Sequence, residues 1–129
     1  MILIVDDDRT LTALLAELLA GEGYEVRVAH DGASAYGHLR DPRCKGILLD
    51  FHMPGINGAE LLMLMETEGI RRPVIVMTAD PDFDEEEMKQ FANVRRLFHK
   101  PLYPEEILEA VRRYFERPAG TSAQSRAET

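Results

Sequence analysis

Apolar positions along this chain alternate between two spacings. Four short segments are apolar on nearly consecutive residues: 2–5, 26–29 (broken by Arg27), 47–49 and 74–77. Runs of this length predict strands covered on both faces, as in a parallel sheet. A fifth segment, 95–99, mixes two arginines and a histidine with Leu97 and Phe98, which suits a strand at a sheet edge.

Between these runs the spacing becomes helical. Leu11, Leu14, Leu15, Leu18 and Leu19 follow the i, i+3, i+4, i+7, i+8 stripe of an amphipathic helix, with Gly21 and Gly23 as the stop. Residues 32–39 predict a shorter, weaker helix. Residues 57–67 predict a stronger one, with Asn57 as N-cap and Gly69 as stop. Residues 84–91 open with acids that favour a helix N-terminus. Residues 104–115 place Pro104 in the first turn and Ile107, Leu108, Val111 and Phe115 on one face. Strict alternation of strand and helix predicts a doubly wound α/β domain with right-handed crossovers. Residues 118–129 carry no large apolar side chain, so the domain is expected to span 1–117 and end in a flexible tail.

Composition narrows the function classes. With 129 residues and 45% hydrophobic content, the chain can bury a core of its own. A net charge of −8 argues against direct binding to a nucleic-acid backbone. The single cysteine, Cys44, excludes an internal disulfide and fits a reducing compartment. No basic segment precedes the first apolar run, and no run approaches the roughly 18 residues of a membrane span. A soluble, cytoplasmic protein without membrane contact is expected.

In an open α/β sheet, ligands bind beyond the carboxyl ends of the strands. There this sequence places Asp6, Asp7 and Asp8 after the first strand, Asp50 at the end of the third, Thr78 at the fourth and Lys100 at the fifth. Crowded carboxylates repel one another unless a cation intervenes. Oxygen ligands and room for phosphate favour Mg²⁺, with Mn²⁺ as an alternative. His30, His38, His52 and His99 lack the spacing of a zinc site. A carboxylate can form an acyl phosphate, while a cation, a lysine and a hydroxyl stabilise the transferring group. Each residue also has a plainer reading: Asp8 as a helix cap, Thr78 as a turn cap, Lys100 as a solvated charge. Their coincidence at successive strand ends favours a shared site.

The run Ile2-Leu3-Ile4-Val5-Asp6-Asp7-Asp8, the segment Leu48-Leu49-Asp50-Phe51-His52-Met53-Pro54-Gly55, then Asn57-Gly58, Met77-Thr78-Ala79 and Lys100-Pro101 resemble the receiver domains of bacterial two-component response regulators. The likeness covers about residues 1–117 and reproduces five motifs in order. It implies a flavodoxin-like five-stranded parallel sheet, strand order 2-1-3-4-5, with helices on both faces. It also implies a signalling protein that catalyses only its own phosphoryl transfer and dephosphorylation. Asp50 resembles the phosphoacceptor. Asp7, Asp50 and the backbone carbonyl of His52 resemble direct metal ligands, with Asp6 acting through water. Thr78 and Lys100 resemble the groups that contact the phosphoryl, and Ala79 the small residue that leaves it accessible. The bond to Pro101 resembles the family's cis peptide. The donor implied is a phosphohistidine on a sensor histidine kinase or a histidine phosphotransfer protein, and the output passes to a downstream protein.

One departure concerns the aromatic residue that receivers usually carry three places before the lysine. Leu97 stands there, with Phe98 one place later, and a shift of one residue changes the face of a strand. His52 and Asp80 occupy the positions that tune phosphoryl lifetime in the family, and are expected to do so here as a pair. The switching face is expected to comprise the 84–91 helix, the fifth strand and the last helix. Its acids (Asp82, Asp84, Glu85, Glu86, Glu87) and its Arg95, Arg96, Arg112 and Arg113 suit a phosphorylation-dependent homodimer. A stand-alone receiver, or one separated from a longer regulator near residue 118, is expected. The competing readings are a degenerate receiver that acts only by contact, which Leu97 allows, and a Mg²⁺-dependent aspartyl phosphohydrolase. The latter is opposed by His52, where such enzymes place a second aspartate. A flavodoxin-like nucleotide binder is opposed by the lack of a Gly-rich loop after the first strand.

Overall fold

Ten elements alternate along the chain: β1 (Ile2–Val5), α1 (Arg9–Gly21), β2 (Val26–Ala29), α2 (Gly32–Leu39), β3 (Gly46–Asp50), α3 (Gly58–Thr67), β4 (Val74–Thr78), α4 (Glu85–Met88), β5 (Val94–His99) and α5 (Pro104–Tyr114). The computed structural model describes residues 1–118. The expected tail, 118–129, therefore lies outside the described residues except for Pro118. All strands are parallel, in the order β2-β1-β3-β4-β5.

The central strands β1, β3 and β4 are buried at every position, which is why they read as unbroken apolar runs. The outer strands β2 and β5 are partly exposed, and their sequences are mixed. Alternation along each strand divides the core in two. Leu3, Val5, Ile47, Leu49, Val74 and Val76 pack beneath α2 and α3 with Ala35, Leu39, Leu61, Leu62 and Met65. Ile2, Ile4, Leu48, Ile75 and Met77 face α1 and α5 with Leu15, Leu19, Ile107 and Val111.

Local chemistry sets the helix ends. The Asp8 carboxylate accepts from Leu11 N–H at 3.0 Å and caps α1. Asn57 and Glu60 form a reciprocal capping box at α3. Gly21 is the last residue of α1 rather than its stop. Gly23 takes the left-handed turn (φ 92°), and the N–H groups of Gly23 and Tyr24 bond the carbonyls of Ala20 and Leu19.

Two helices depart from the expected pattern. The helix expected over 84–91 is one turn long, with Asp84 as its N-cap. Beyond Met88, the N–H groups of Gln90 and Phe91 bond back only three residues, to Glu87 and Met88. That tightening turns Phe91 toward the core and leads into β5. In α1 the buried arc runs through Thr12, Leu15 and Leu19, so it is rotated away from the leucine stripe, and Leu14 is 60% exposed. Leu11, Leu14 and Leu18 line a shallow apolar cleft with Leu102 and Pro104.

Candidate functional site

Because the strands are parallel, β1, β3, β4 and β5 all end at the same edge of the sheet. Asp6 follows β1 and is fully buried; Asp50 ends β3 and is 4% exposed; Thr78 ends β4 and is fully buried. Lys100 directly follows β5, which ends at His99, and its backbone N–H donates to the Thr78 carbonyl at 2.7 Å. Asp6, Asp7 and Asp50 each offer a carboxylate oxygen within 4.8 Å of the others. Lys100 Nζ lies 2.8 Å from Asp6 Oδ2 and 3.6 Å from Asp50 Oδ2.

These contacts shape the acidity of the cluster. Burial pushes the Asp50 carboxyl up, and the neighbouring Asp6 charge adds to it. The Lys100 ammonium and the His52 N–H oppose the rise, leaving Asp50 at about 6. Partial burial disfavours the Lys100 ammonium. The hydrogen bond to Asp6 and the charges of Asp50 and Asp6 outweigh that effect and hold its pKa above the ordinary value. Three carboxylates thus cluster with one lysine, which lies between Asp6 and Asp50. This all-oxygen donor set, two of its members buried, fits a hard divalent cation such as Mg²⁺.

The chain after Asp50 is held closely. The His52 N–H donates to Asp50 Oδ1 at 3.2 Å, and the Gly58 N–H donates to the Phe51 carbonyl at 3.0 Å. A Cβ on Gly58 would lie 2.7 Å from Phe51 Cα, so only glycine allows α3 to begin this close to the site. On the β4 side, Thr78 Oγ1 accepts from the Asp80 N–H at 3.0 Å and lies 3.1 Å from His52 Nδ1. His52 Nε2 is 3.8 Å from Asp80 Oδ2. Ala79 is exposed at the mouth. The Lys100–Pro101 peptide is cis.

Leu97 and Phe98 lie on opposite faces. Leu97 packs against the cluster beneath α2 and α3, whereas Phe98 is buried in the α1/α5 cluster with the Arg96 guanidinium 4.6 Å from its ring centroid. Phe98 does not take the place of an aromatic at 97. A different aromatic group, not expected from the sequence, lies beside His52. Phe83 is buried against Phe51, ring centroids 4.3 Å apart, and Phe51 in turn meets Phe91 at 5.8 Å. His99 Nε2 donates to the Phe83 carbonyl at 2.7 Å. The available signal was one aromatic residue within the acidic stretch 80–87.

The sequence matches the response regulator receiver domain family over residues 2–112. The response regulator MprA of Mycobacterium avium is 33% identical over 116 residues, which cover 90% of this chain and 51% of the relative. The DNA-binding response regulator MtrA of Mycobacterium tuberculosis is 32% identical over 117 residues, covering 90% of this chain and 50% of the relative. The chain thus spans about half the length of the curated relatives it matches. Among solved structures, the chemotaxis protein CheY4 of Vibrio cholerae superposes with a TM-score of 0.78 at 24% identity, covering 88% of this chain and 96% of that one; this likeness shows the fold.

Proposed function

The chain belongs to the response regulator receiver family, a family of signalling proteins rather than classical enzymes, and from that membership and the acid pocket we propose that it accepts a phosphoryl group on Asp50. An Asp50 carboxylate oxygen attacks phosphorus of a phosphohistidine, the P–N bond breaks, and the donor imidazole leaves and takes up a proton. The donor is a sensor histidine kinase or a histidine phosphotransfer protein, and the reaction takes place in the cytoplasm. No helix among the described residues is long and apolar enough to cross a membrane.

Asp7, Asp50 and the His52 carbonyl would hold Mg²⁺, or Mn²⁺ in its place, with Asp6 acting through water. The ion would supply positive charge beside the phosphoryl oxygens. Lys100, already between Asp6 and Asp50, turns its ammonium to a phosphoryl oxygen. Thr78 donates its hydroxyl to another, and Ala79 keeps the group open to solvent. His52 and Asp80, whose side chains approach to 3.8 Å, set how readily water reaches the acyl phosphate. The observation that carries this reading is the convergence of buried Asp50, two further carboxylates and Lys100 at one sheet edge.

Incubation with acetyl phosphate and Mg²⁺ followed by intact-mass measurement tests it. One phosphoryl adduct is expected on the wild type, and none on Asp50→Asn or in EDTA. An adduct of equal yield on Asp50→Asn would refute the assignment. The readout face is α4, β5 and α5, which passes the signal to a downstream protein. A homodimer through this face would have to form although Arg112 already pairs with Glu22 and Arg96 lies over Phe98. Light scattering with and without beryllofluoride decides it: a doubled mass supports the dimer, an unchanged mass removes it.

A further inference from the structure

The hydroxyl of Thr78 carries one proton, and two partners can claim it. In this structure Thr78 Oγ1 already accepts the Asp80 N–H at 3.0 Å, and it lies 3.1 Å from His52 Nδ1. The other ring nitrogen, Nε2, is directed at the Asp80 carboxylate, 3.8 Å away. A lone pair on Nε2 would face that negative oxygen, whereas an N–H there meets it favourably. With the imidazole N–H on Nε2, Nδ1 presents its lone pair, and the hydroxyl of Thr78, 3.1 Å away, donates its only proton to it.

The imidazole is about half exposed and has two aromatic neighbours. Phe51 meets it nearly edge-on, with centroids 5.4 Å apart and planes at 70°, and Phe83 does the same at 6.3 Å and 88°. Phe83 is in turn buried on Phe51 and tied through its carbonyl to His99. His52 and Asp80 thus flank Thr78's hydroxyl from the segment after Asp50 and from the loop after Thr78.

We infer that the His52 imidazole competes with the phosphoryl group on Asp50 for the single hydroxyl proton of Thr78, and so holds the protein in its resting form. The inference rests on the phosphoacceptor reading above and adds a role for His52 before phosphorylation, apart from any effect on phosphoryl lifetime. His52 is a positioning residue here: it acts only through Thr78. Release of the Nδ1 bond accompanies the turn of the hydroxyl toward the phosphoryl oxygen, and removal of the competitor favours the phosphoryl-bound form.

Beryllofluoride with Mg²⁺, titrated into the full chain at one fixed pH and followed by NMR, tests this. His52→Ala should lower the beryllofluoride midpoint by between about two- and ten-fold, the range of one ordinary hydrogen bond. His52→Asn, whose side-chain oxygen can stand where Nδ1 stands, should keep the midpoint within about two-fold of wild type. In a Thr78→Val background the His52→Ala effect should vanish, as required of a residue acting through Thr78. In the resting, Mg²⁺-free protein, ¹⁵N shifts should show His52 protonated at Nε2 with Nδ1 accepting a hydrogen bond, and Thr78→Val should move Nδ1 toward the free-acceptor value. Unchanged midpoints in His52→Ala, or an equal shift in the Thr78→Val background, would overturn the inference while leaving the phosphoacceptor reading intact. Absence of beryllofluoride binding in the wild type would overturn both, even if the resting bond were seen. Matching thermal melts of the His52 variants exclude unfolding as the cause of a shift.

Discussion

A buried carboxylate beside a second carboxylate is destabilising unless something compensates, and Asp50 is in that position. Its pKa rises from the ordinary 3.8 to about 6, so the folded chain binds the Asp50 proton more tightly than the unfolded chain does. Below about pH 4 both states are protonated there and no penalty applies. As pH rises through the window from 4 to 6, the unfolded state ionises first and stability falls; above 6 the penalty is complete. Asp50→Asn removes this component. In EDTA at pH 8 the variant should be more stable than wild type by about 2–3 kcal/mol, and the gap should close near pH 4. Urea unfolding at the two pH values measures it. A gap that widened toward low pH would mean the carboxyl is stabilised by Lys100 more than it is penalised by burial.

At the scale of the element, Gly58 joins α3 to the site. An alanine Cβ would meet Phe51 Cα at 2.7 Å, and the Phe51 and Asp50 carbonyls at 3.0 and 3.1 Å, all of them backbone atoms. Gly58→Ala should therefore cost about 1–3 kcal/mol and impair phosphoryl acceptance by shifting residues 50–52. Gly37→Ala meets nothing within 4 Å in the middle of α2 and should be neutral or stabilising, by up to about 1 kcal/mol. Thermal melts and the acetyl phosphate assay separate the two outcomes. In α1, Leu19→Ala should cost about 2–5 kcal/mol, whereas Leu14→Ala should stay within about 0.5 kcal/mol. The leucine stripe did not distinguish these two residues. Periodicity marks an apolar face, but the arc that becomes buried depends on how the sheet and α5 meet the helix. The length of α4 escaped for a related reason. Its acids favour a helix start, yet the path of 88–94 into β5 ends it after one turn.

At the scale of the molecule, a cation that binds only the folded pocket must stabilise the whole fold. Mg²⁺ at about 100 times its dissociation constant should raise stability by about 2.7 kcal/mol. The wild-type melting temperature should rise accordingly, while Asp50→Asn, which lacks one of the three carboxylates, should gain much less. Equal gains in both would place the ion elsewhere. The pocket exists only when β1, β3, β4 and β5 are aligned, since Asp6, Asp50, Thr78 and Lys100 are contributed by four different strand ends.

The alternation of apolar runs with helical stripes was enough to determine the α/β class, and turn chemistry was enough for caps such as Asp8 and Asn57, because those signals are local. The acids, the threonine and the lysine were legible as one group for a geometric reason: residues at the carboxyl ends of parallel strands must share an edge. Only the tertiary structure decided that Phe83 folds onto Phe51 and that the imidazole of His52 meets the hydroxyl of Thr78. Those contacts join loops whose paths depend on packing among distant segments, and no local periodicity encodes such a path.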